Sequence, residues 1–386
     1  MCADGISPRA RQIHFSNIVV DTHADTPQRF LFDQFDMGHR DAEGCVDITR
    51  LREGGISAIF FALWVPVTIT GAAASQRAFD LLNSVQEQVR LHPTDLALAT
   101  SLGEVRRARA ENKIAILLGV EGGHAINNDL QILREFTARG VRYMTLTHNA
   151  ATDWADSSNQ PPRHNGLTEF GKQVVREMNR LGMVVDVSHV SDQTFRDVLQ
   201  NSCGPIIASH SCCRAICSAP RNLSDEMIQA LAAQGGVMHI TFHNAFLSQE
   251  YADASKGLAS ENALHEEAVK QQFGQNEARK LIEGRRQSDE SIRAGKLPQV
   301  SWEKIIEHID YAVRLAGADH VGLGSDFDGA FMPEGMEDAA KFPKITEGLL
   351  GLGYKESDVS KILGENTLRV MAESERIARE LQAGKP

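Results

Sequence analysis

Ile18-Val19-Val20-Asp21-Thr22-His23-Ala24-Asp25 is an apolar run that ends in two potential ligands. The run reads as a buried strand. In an extended backbone His23 and Asp25, two residues apart, point their side chains the same way. An imidazole beside a carboxylate at a strand end is half of a site for a metal of intermediate hardness. Taken alone, His-x-Asp is a weak signal. Its weight comes from recurrence, because an apolar strand running into a potential ligand reappears along the whole chain.

Eight such strands are expected, at 18–21, 56–63, 114–120, 143–147, 183–187, 205–209, 237–241 and 320–324. They are β-branched or nearly all apolar, as strands buried on both faces should be. Helical patterns lie between them, for example at 76–91, 129–139, 169–181, 191–200 and 225–234. Thr168 is placed to cap the third of these and Gly182 to end it. Ser224 stands before the last, with Gly235-Gly236 behind it. This succession of β-then-α units predicts an α/β fold, a (β/α)8 TIM barrel rather than a doubly wound sheet. An open dinucleotide-binding sheet would want a Gly-rich phosphate turn after the first strand, and none is there.

The stretch 245–300 departs from the regular spacing. It is long and charged, helix-like over 261–285, and forms a helical insertion between strands seven and eight. Connections of this length are usually lids, substrate loops or oligomer contacts, so a homodimer contact is one expectation here. After strand eight, 342–351, 357–363 and 366–381 read as C-terminal helices. With no second domain in sight, residues 1–386 are expected to form a single metal-dependent hydrolase barrel.

The 386 residues are 42% hydrophobic, enough for a substantial core, and carry a net charge of −11. That charge argues against nucleic acid and anionic membrane as partners. Residues 1–16 hold Arg9 and Arg11 but no apolar core of a secretory signal, and no stretch approaches a membrane span. The six cysteines follow no disulfide-framework spacing; Cys212, Cys213 and Cys217 cluster, and read as small buried thiols more readily than as a soft-metal site. A cytoplasmic location is expected.

In a (β/α)8 barrel the chemistry sits at the C-terminal rim of the strands. Strand one ends in His23 and Asp25, strand three in Glu121, strand four in His148, strand five in His189, strand six in His210, and strand eight in Asp326 and Asp328. A single buried His or Asp at a strand end is more often structural than ligating, but convergence reverses those odds. Imidazoles and carboxylates without a thiolate suit Zn²⁺, Mn²⁺, Fe²⁺ or Co²⁺, with Zn²⁺ the default. The set exceeds what one ion needs. It favours a two-metal site bridged by Glu121, whose strand lies between the two groups, and ions about 3.5–4 Å apart can together hold a hydroxide and polarise a carbonyl.

The ordered motifs Asp21-Thr22-His23-Ala24-Asp25, Val120-Glu121-Gly122-Gly123, Leu146-Thr147-His148-Asn149, Asp186-Val187-Ser188-His189, Ser209-His210-Ser211, Pro220-Arg221-Asn222 and Gly324-Ser325-Asp326-Phe327-Asp328-Gly329 span most of the chain. Together they resemble the membrane dipeptidase (renal dipeptidase) family, peptidase family M19, of the amidohydrolase-like metal-dependent barrels. By that resemblance His23 and Asp25 bind one Zn²⁺, His189 and His210 bind the other, and Glu121 bridges. Asp326 would shuttle the proton, His148 would donate to the developing oxyanion, and Arg221 would clamp the substrate's terminal carboxylate. The resemblance implies a zinc-dependent dipeptidase, with tolerance for L-Xaa-D-Xaa substrates.

His124 and Asp328 are expected to be supporting rather than ligating, and Asp153, Trp154, Asp156 and Asn159 to line either the pocket or its rim. His243 stands where relatives often have tyrosine, which bears on side-chain preference. No lipid-anchor tail or disulfide pattern of the secreted relatives is seen, and a soluble microbial-type member is expected. The competing reading is a two-metal hydrolase of a cyclic amide, β-lactam or lactone; a carboxylate-bearing dipeptide needs Arg221, and a neutral ester or lactone does not. A metal-stabilised accessory protein without catalysis would be expected to lack a ligand or Asp326, and all are present.

Overall fold

The computed structural model describes residues 5–384, so Cys2 lies outside the described residues. The apolar runs fold as β1 (Val19–Ala24), β2 (Ile56–Trp64), β3 (Leu96–Leu98), β4 (Ile114–Glu121), β5 (Val141–Thr145), β6 (Val184–Asp186), β7 (Ile207–Ser211), β8 (Val237–Ile240) and β9 (Val321–Leu323). Every ladder is parallel, and neighbours run β1-β2-β4-β5-β6-β7-β8-β9. The ring is nearly closed. Asp326 N–H donates to the His23 carbonyl at 2.9 Å and Asp25 N–H to the Phe327 carbonyl at 2.8 Å, joining the chain beyond β9 to the end of β1. Asp21 strengthens that seam by accepting from the Ser325 N–H at 2.8 Å and its hydroxyl at 2.6 Å. The expected TIM-like α/β barrel is therefore present.

Two differences from the sequence reading have local causes. The short β3 was not expected, because three residues carry no readable alternation. It pairs with Ile114–Ile116 of β4, along an edge that β5 occupies only from Leu118 onward. The sixth expected strand begins at Ile207 rather than at Pro205, which has no N–H to give a ladder. Inside the ring, Val20, Phe60, Leu117, Tyr143, Ile207 and Val237 form one buried core, joined by Leu368 and Met371 of the last helix. A larger core lies between the strands and the surrounding helices.

The helix ends follow the sequence signals. The Thr168 side chain accepts from Gly171 N–H, Gly182 ends that helix at φ +72°, and Ser224 accepts from Met227 N–H. The insertion is not one helix over 261–285. It folds as Gln249–Gly257, Ala259–Phe273 and Glu277–Arg293, broken where Gly274 takes φ +57° and where the Asn276 side chain caps the next helix. Arg279 ties the last of these to Asp33 at 3.2 Å and to Glu43 at 2.9 Å, on the connection that follows β1. Cys212, Cys213 and Cys217 direct their sulfurs at backbone carbonyls, in keeping with the buried-thiol reading. No helix among the described residues is long and apolar enough to cross a membrane.

Gly119 shows how closely the barrel interior is fitted. A Cβ there would lie 2.0 Å from the Tyr143 ring, so only glycine leaves room for that phenol. Overpacking of this kind typically costs about 1–3 kcal/mol. Gly119→Ala is therefore expected to lower the melting temperature measurably in thermal unfolding; an unchanged melt would show that the ring can move aside at no cost.

Candidate metal centre

The side chain of Glu121 ends β4 at the centre of the rim and is 3% exposed. Its two oxygens face different partners. Oε2 lies 3.4 Å from His23 Nε2, while Oε1 lies 2.9 Å from His189 Nε2 and 3.2 Å from His210 Nε2. His23 Nε2 is also 3.7 Å from Asp25 Oδ2. Candidate donor atoms of His23, Asp25 and Asp326 lie within 4.8 Å of one another, as do those of His23, Glu121 and His210, and of Glu121, His148 and His189.

Each of these positions is prepared by the strand end before it. His23 Nδ1 pairs with the Tyr143 hydroxyl at 2.9 Å, leaving Nε2 aimed inward. His210 Nδ1 pairs with Ser209 Oγ at 2.8 Å, and Asp186 accepts from the Ser209 hydroxyl at 2.6 Å and from the Thr145 hydroxyl at 2.5 Å. His189 and Asp326 sit in the left-handed region at φ +68° and +66°. Such backbone costs about 1–3 kcal/mol per residue and persists where the surroundings impose it, most often at functional sites. Gly329 packs directly on the two carboxyl groups, where a Cβ would lie 2.0 Å from Asp25 Oδ2 and 2.7 Å from Asp326 Oδ1.

The donor set fits a metal on three counts. His23 Nε2 and Asp25 Oδ1 are buried polar atoms without a hydrogen-bond partner, which is costly unless something else satisfies them. His189 Nε2 and His210 Nε2 face each other at 3.0 Å, two imidazole nitrogens converging on one carboxylate oxygen. At His189, His210 and Glu121 the protonation states also suit ligation, which needs neutral imidazole and ionised carboxylate; without an ion the acidic groups around His23 outweigh burial and hold it above the usual histidine range, and burial raises Asp25. Burial holds His189 and His210 well below the usual histidine range. Burial alone would raise Glu121, but the imidazoles of His23, His148, His189 and His210 outweigh it and hold the carboxyl well below the usual range.

His148 differs from the others. Its Nδ1 accepts from the Trp64 indole N–H at 3.2 Å, and because an indole can only donate, the neutral ring carries its proton on Nε2. Burial lowers its pKa to about 4. Nε2 therefore offers an N–H, 4.0 Å from Glu121 Oε1, and not a lone pair. Asp326 goes the other way: burial, reinforced by the charges of Asp25 and Glu121, holds it well above the usual carboxylate range.

Arg221 is 3% exposed and lines the same cavity of about 200 Å³, together with Trp64, Asn149, His243 and Phe246. Its guanidinium donates to the Ser211 hydroxyl at 3.0 Å and to the His210 carbonyl at 2.8 Å, stacks over Phe246 at 5.5 Å, and leaves Nε without a partner. His243 lies between Phe246 and Phe331, its Nδ1 accepting from Phe331 N–H at 3.3 Å.

A family model for membrane dipeptidases (peptidase family M19) matches residues 7–385. The chain belongs to that family. As a membrane-dipeptidase-family protein it is a metallo-dipeptidase, a metal-dependent hydrolase of peptide bonds. Human dipeptidase 3 is 30% identical over 389 residues, covering 98% of this chain and 69% of the human protein. The probable dipeptidase PvdM of Pseudomonas aeruginosa superposes with a TM-score of 0.81 at 26% identity, over 96% of this chain and all of that one. A metallopeptidase of Rhodobacter sphaeroides, solved with a phosphinate mimic of the dipeptide L-Ala-D-Ala, superposes at 0.76 with 25% identity, over 93% of this chain and 99% of that one.

The fold gathers the residues that carried the resemblance: His23, Asp25, Glu121, His148, His189, His210, Arg221 and Asp326 surround one space. Asp328 stands behind it, accepting from the Thr26 hydroxyl at 2.7 Å and the Cys45 N–H at 2.8 Å, a support for the Asp326 loop. His124 lines a separate small cavity with Asp153, Trp154 is wholly buried, and Asp156 accepts loop N–H groups from Arg163, His164 and Gly166. Sequence reading missed Trp64 and Tyr143. Trp64 was findable as the residue ending strand two, had that strand end been searched for donors as well as ligands; Tyr143 lies inside the barrel and carried no signal. Leu281 of the insertion also reaches the cavity.

These contacts predict that a divalent ion such as Zn²⁺, returned to chelator-treated protein, raises its melting temperature by several degrees, since a ligand bound only by the folded state stabilises it. In Glu121→Ala most of that rise should disappear. An equal rise in the variant would show that the ion binds elsewhere.

Proposed function

We propose that this metallo-dipeptidase is zinc-dependent, holds two ions per chain, and cleaves dipeptides that bear a free carboxylate, L-Xaa-D-Xaa included. The observation that carries the substrate reading is Arg221: a buried guanidinium with no carboxylate partner among the described residues, donating only to a hydroxyl and a carbonyl, its Nε unmatched. A buried cation of this kind suits an anionic group arriving with the substrate, and guanidinium matches carboxylate in fork geometry. A neutral lactone or cyclic amide would leave it unanswered. Stereochemical tolerance draws its support from the L-Ala-D-Ala mimic held by the Rhodobacter sphaeroides relative.

His23 and Asp25 would hold one ion, His189 and His210 the other, with Glu121 offering an oxygen to each side. Bound there, the ions supply Lewis acidity and bring the pKa of water to about 7. Arg221 anchors the terminal carboxylate and thereby sets the scissile carbonyl over the centre. His148, its proton fixed on Nε2 by Trp64, donates to the carbonyl oxygen as negative charge develops. Removing such a donor costs about 3–4 kcal/mol of transition-state stabilisation in comparable sites. Asp326 takes the proton released by attack and returns it to the departing amine, whose expulsion otherwise requires a strongly basic leaving group.

Steady-state kinetics on a panel of L-Xaa-L-Xaa and L-Xaa-D-Xaa dipeptides, with zinc-loaded protein, tests this directly. Asp326→Asn is expected to lower kcat by about 10²–10⁴-fold, the usual worth of a positioned acid–base group. Arg221→Ala is expected to act mainly on KM, because the carboxylate is held alike in ground and transition states. Absence of turnover on every dipeptide, from protein shown to carry its metal, would overturn the proposal.

A further inference from the structure

A second cavity, of about 440 Å³, opens beside the metal centre beneath the three insertion helices, and Trp64 lines both spaces. Its wall includes Tyr251, Val269, Gly284, Ser288, Leu297 and Phe331. Phe331 also packs on His243, with ring centroids 5.6 Å apart, and His243 lines the metal cavity. The two spaces therefore share a wall at Trp64, and Phe331 links the second one to His243 of the first.

Its position relative to Arg221 says which part of a substrate reaches it. In the strand order, β2, which carries Trp64, and β7, which precedes Arg221, stand four strands apart in either direction around the eight-stranded ring. They are on opposite sides of the mouth. A dipeptide whose carboxylate lies on Arg221 and whose carbonyl lies over Glu121 therefore extends its amino-terminal residue toward Trp64 and the chamber behind it.

The lining says what kind of side chain fits. Six of its polar groups are already paired with one another. Tyr251 Oη bonds Ser288 Oγ at 2.7 Å, Lys280 Nζ meets Glu277 Oε1 at 2.7 Å, and the Gln287 amide donates to Asn262 Oδ1 at 3.3 Å. What is left is apolar surface from Val269, Leu297 and Phe331, with His265, Glu266 and Lys270 as polar groups of the same wall. The volume falls within the range of sites that enclose small organic ligands and far exceeds what a methyl group fills.

We propose that this chamber is the subsite for the amino-terminal side chain of the substrate and selects large aromatic or long aliphatic residues there. The inference rests on the dipeptidase reading above and adds the residue class. The insertion is then a specificity element: its helices roof the subsite, and their sequence sets its size. Gly284 is a point at which that size can be changed, because it lines the chamber where it packs on Phe331, and a Cβ there would already lie 3.3 Å from Phe331 Cζ.

The test is kcat/KM for the series Ala-Ala, Leu-Ala, Phe-Ala and Tyr-Ala with metal-loaded full-length protein, alongside Gly284→Leu to fill the chamber and Val269→Ala to widen it. Thermal melts verify that each variant is folded. The wild type is expected to prefer Phe-Ala over Ala-Ala by at least tenfold. Gly284→Leu should reduce that ratio by tenfold or more, and Val269→Ala should shift preference toward the larger side chains. A wild-type rate that does not rise with side-chain size overturns the subsite, as does an equal loss on all four substrates in a folded Gly284→Leu protein. No turnover on any of them overturns the dipeptidase reading and the subsite with it.

Discussion

One buried carboxylate organises this molecule. Glu121 turns one oxygen to His23 and the other to His189 and His210, and those imidazoles come from strands on different arcs of the barrel. Their convergence requires the ring to be closed, and the closure is made at the site itself. The backbone bonds between His23 and Asp326 and between Asp25 and Phe327 are at once the seam of the barrel and part of the frame around the metal cavity. Fold and site are one construction here, and a change that opens the seam would separate His23 and Asp25 from Asp326.

The supporting groups repeat one device. Buried Asp21 and Asp186 each end or precede a strand terminus and each accept from a serine on a neighbouring segment, Ser325 and Ser209. Asp21 fixes the chain that presents Asp326; Asp186, through Ser209, fixes the tautomer of His210. Trp64 does the same for His148, and Tyr143 holds Nδ1 of His23 so that Nε2 faces inward. Such partners set which nitrogen of each imidazole faces inward and whether it carries a proton, and so separate the residues suited to hold a cation from the one suited to donate to an oxyanion.

Much of this was legible in the chain. Strands buried on both faces read as near-continuous apolar runs, and six of the eight expected runs lead into a short polar motif, so both the barrel and its ligand-bearing ends appear in linear order. What was hidden depends on three-dimensional fit. The role of Tyr143 comes from the glycine at 119 that clears space for its ring. The short β3 uses an edge left free by the late start of β5. The insertion read as helical, but it breaks at a left-handed Gly274, and its clamping by Arg279 to Asp33 and Glu43 involves partners more than two hundred residues away. Roofing helices of this kind can change the reach of the site while the barrel that carries the chemistry stays the same.

In the function proposed above, Glu121 joins two metal positions of different make-up. Anomalous X-ray diffraction from crystals of the zinc-loaded protein measures this most directly. Two zinc peaks per chain are expected, one beside His23 and Asp25 and one beside His189 and His210, with an oxygen of Glu121 on each. A single peak, or a second ion that leaves Glu121 untouched, would contradict it.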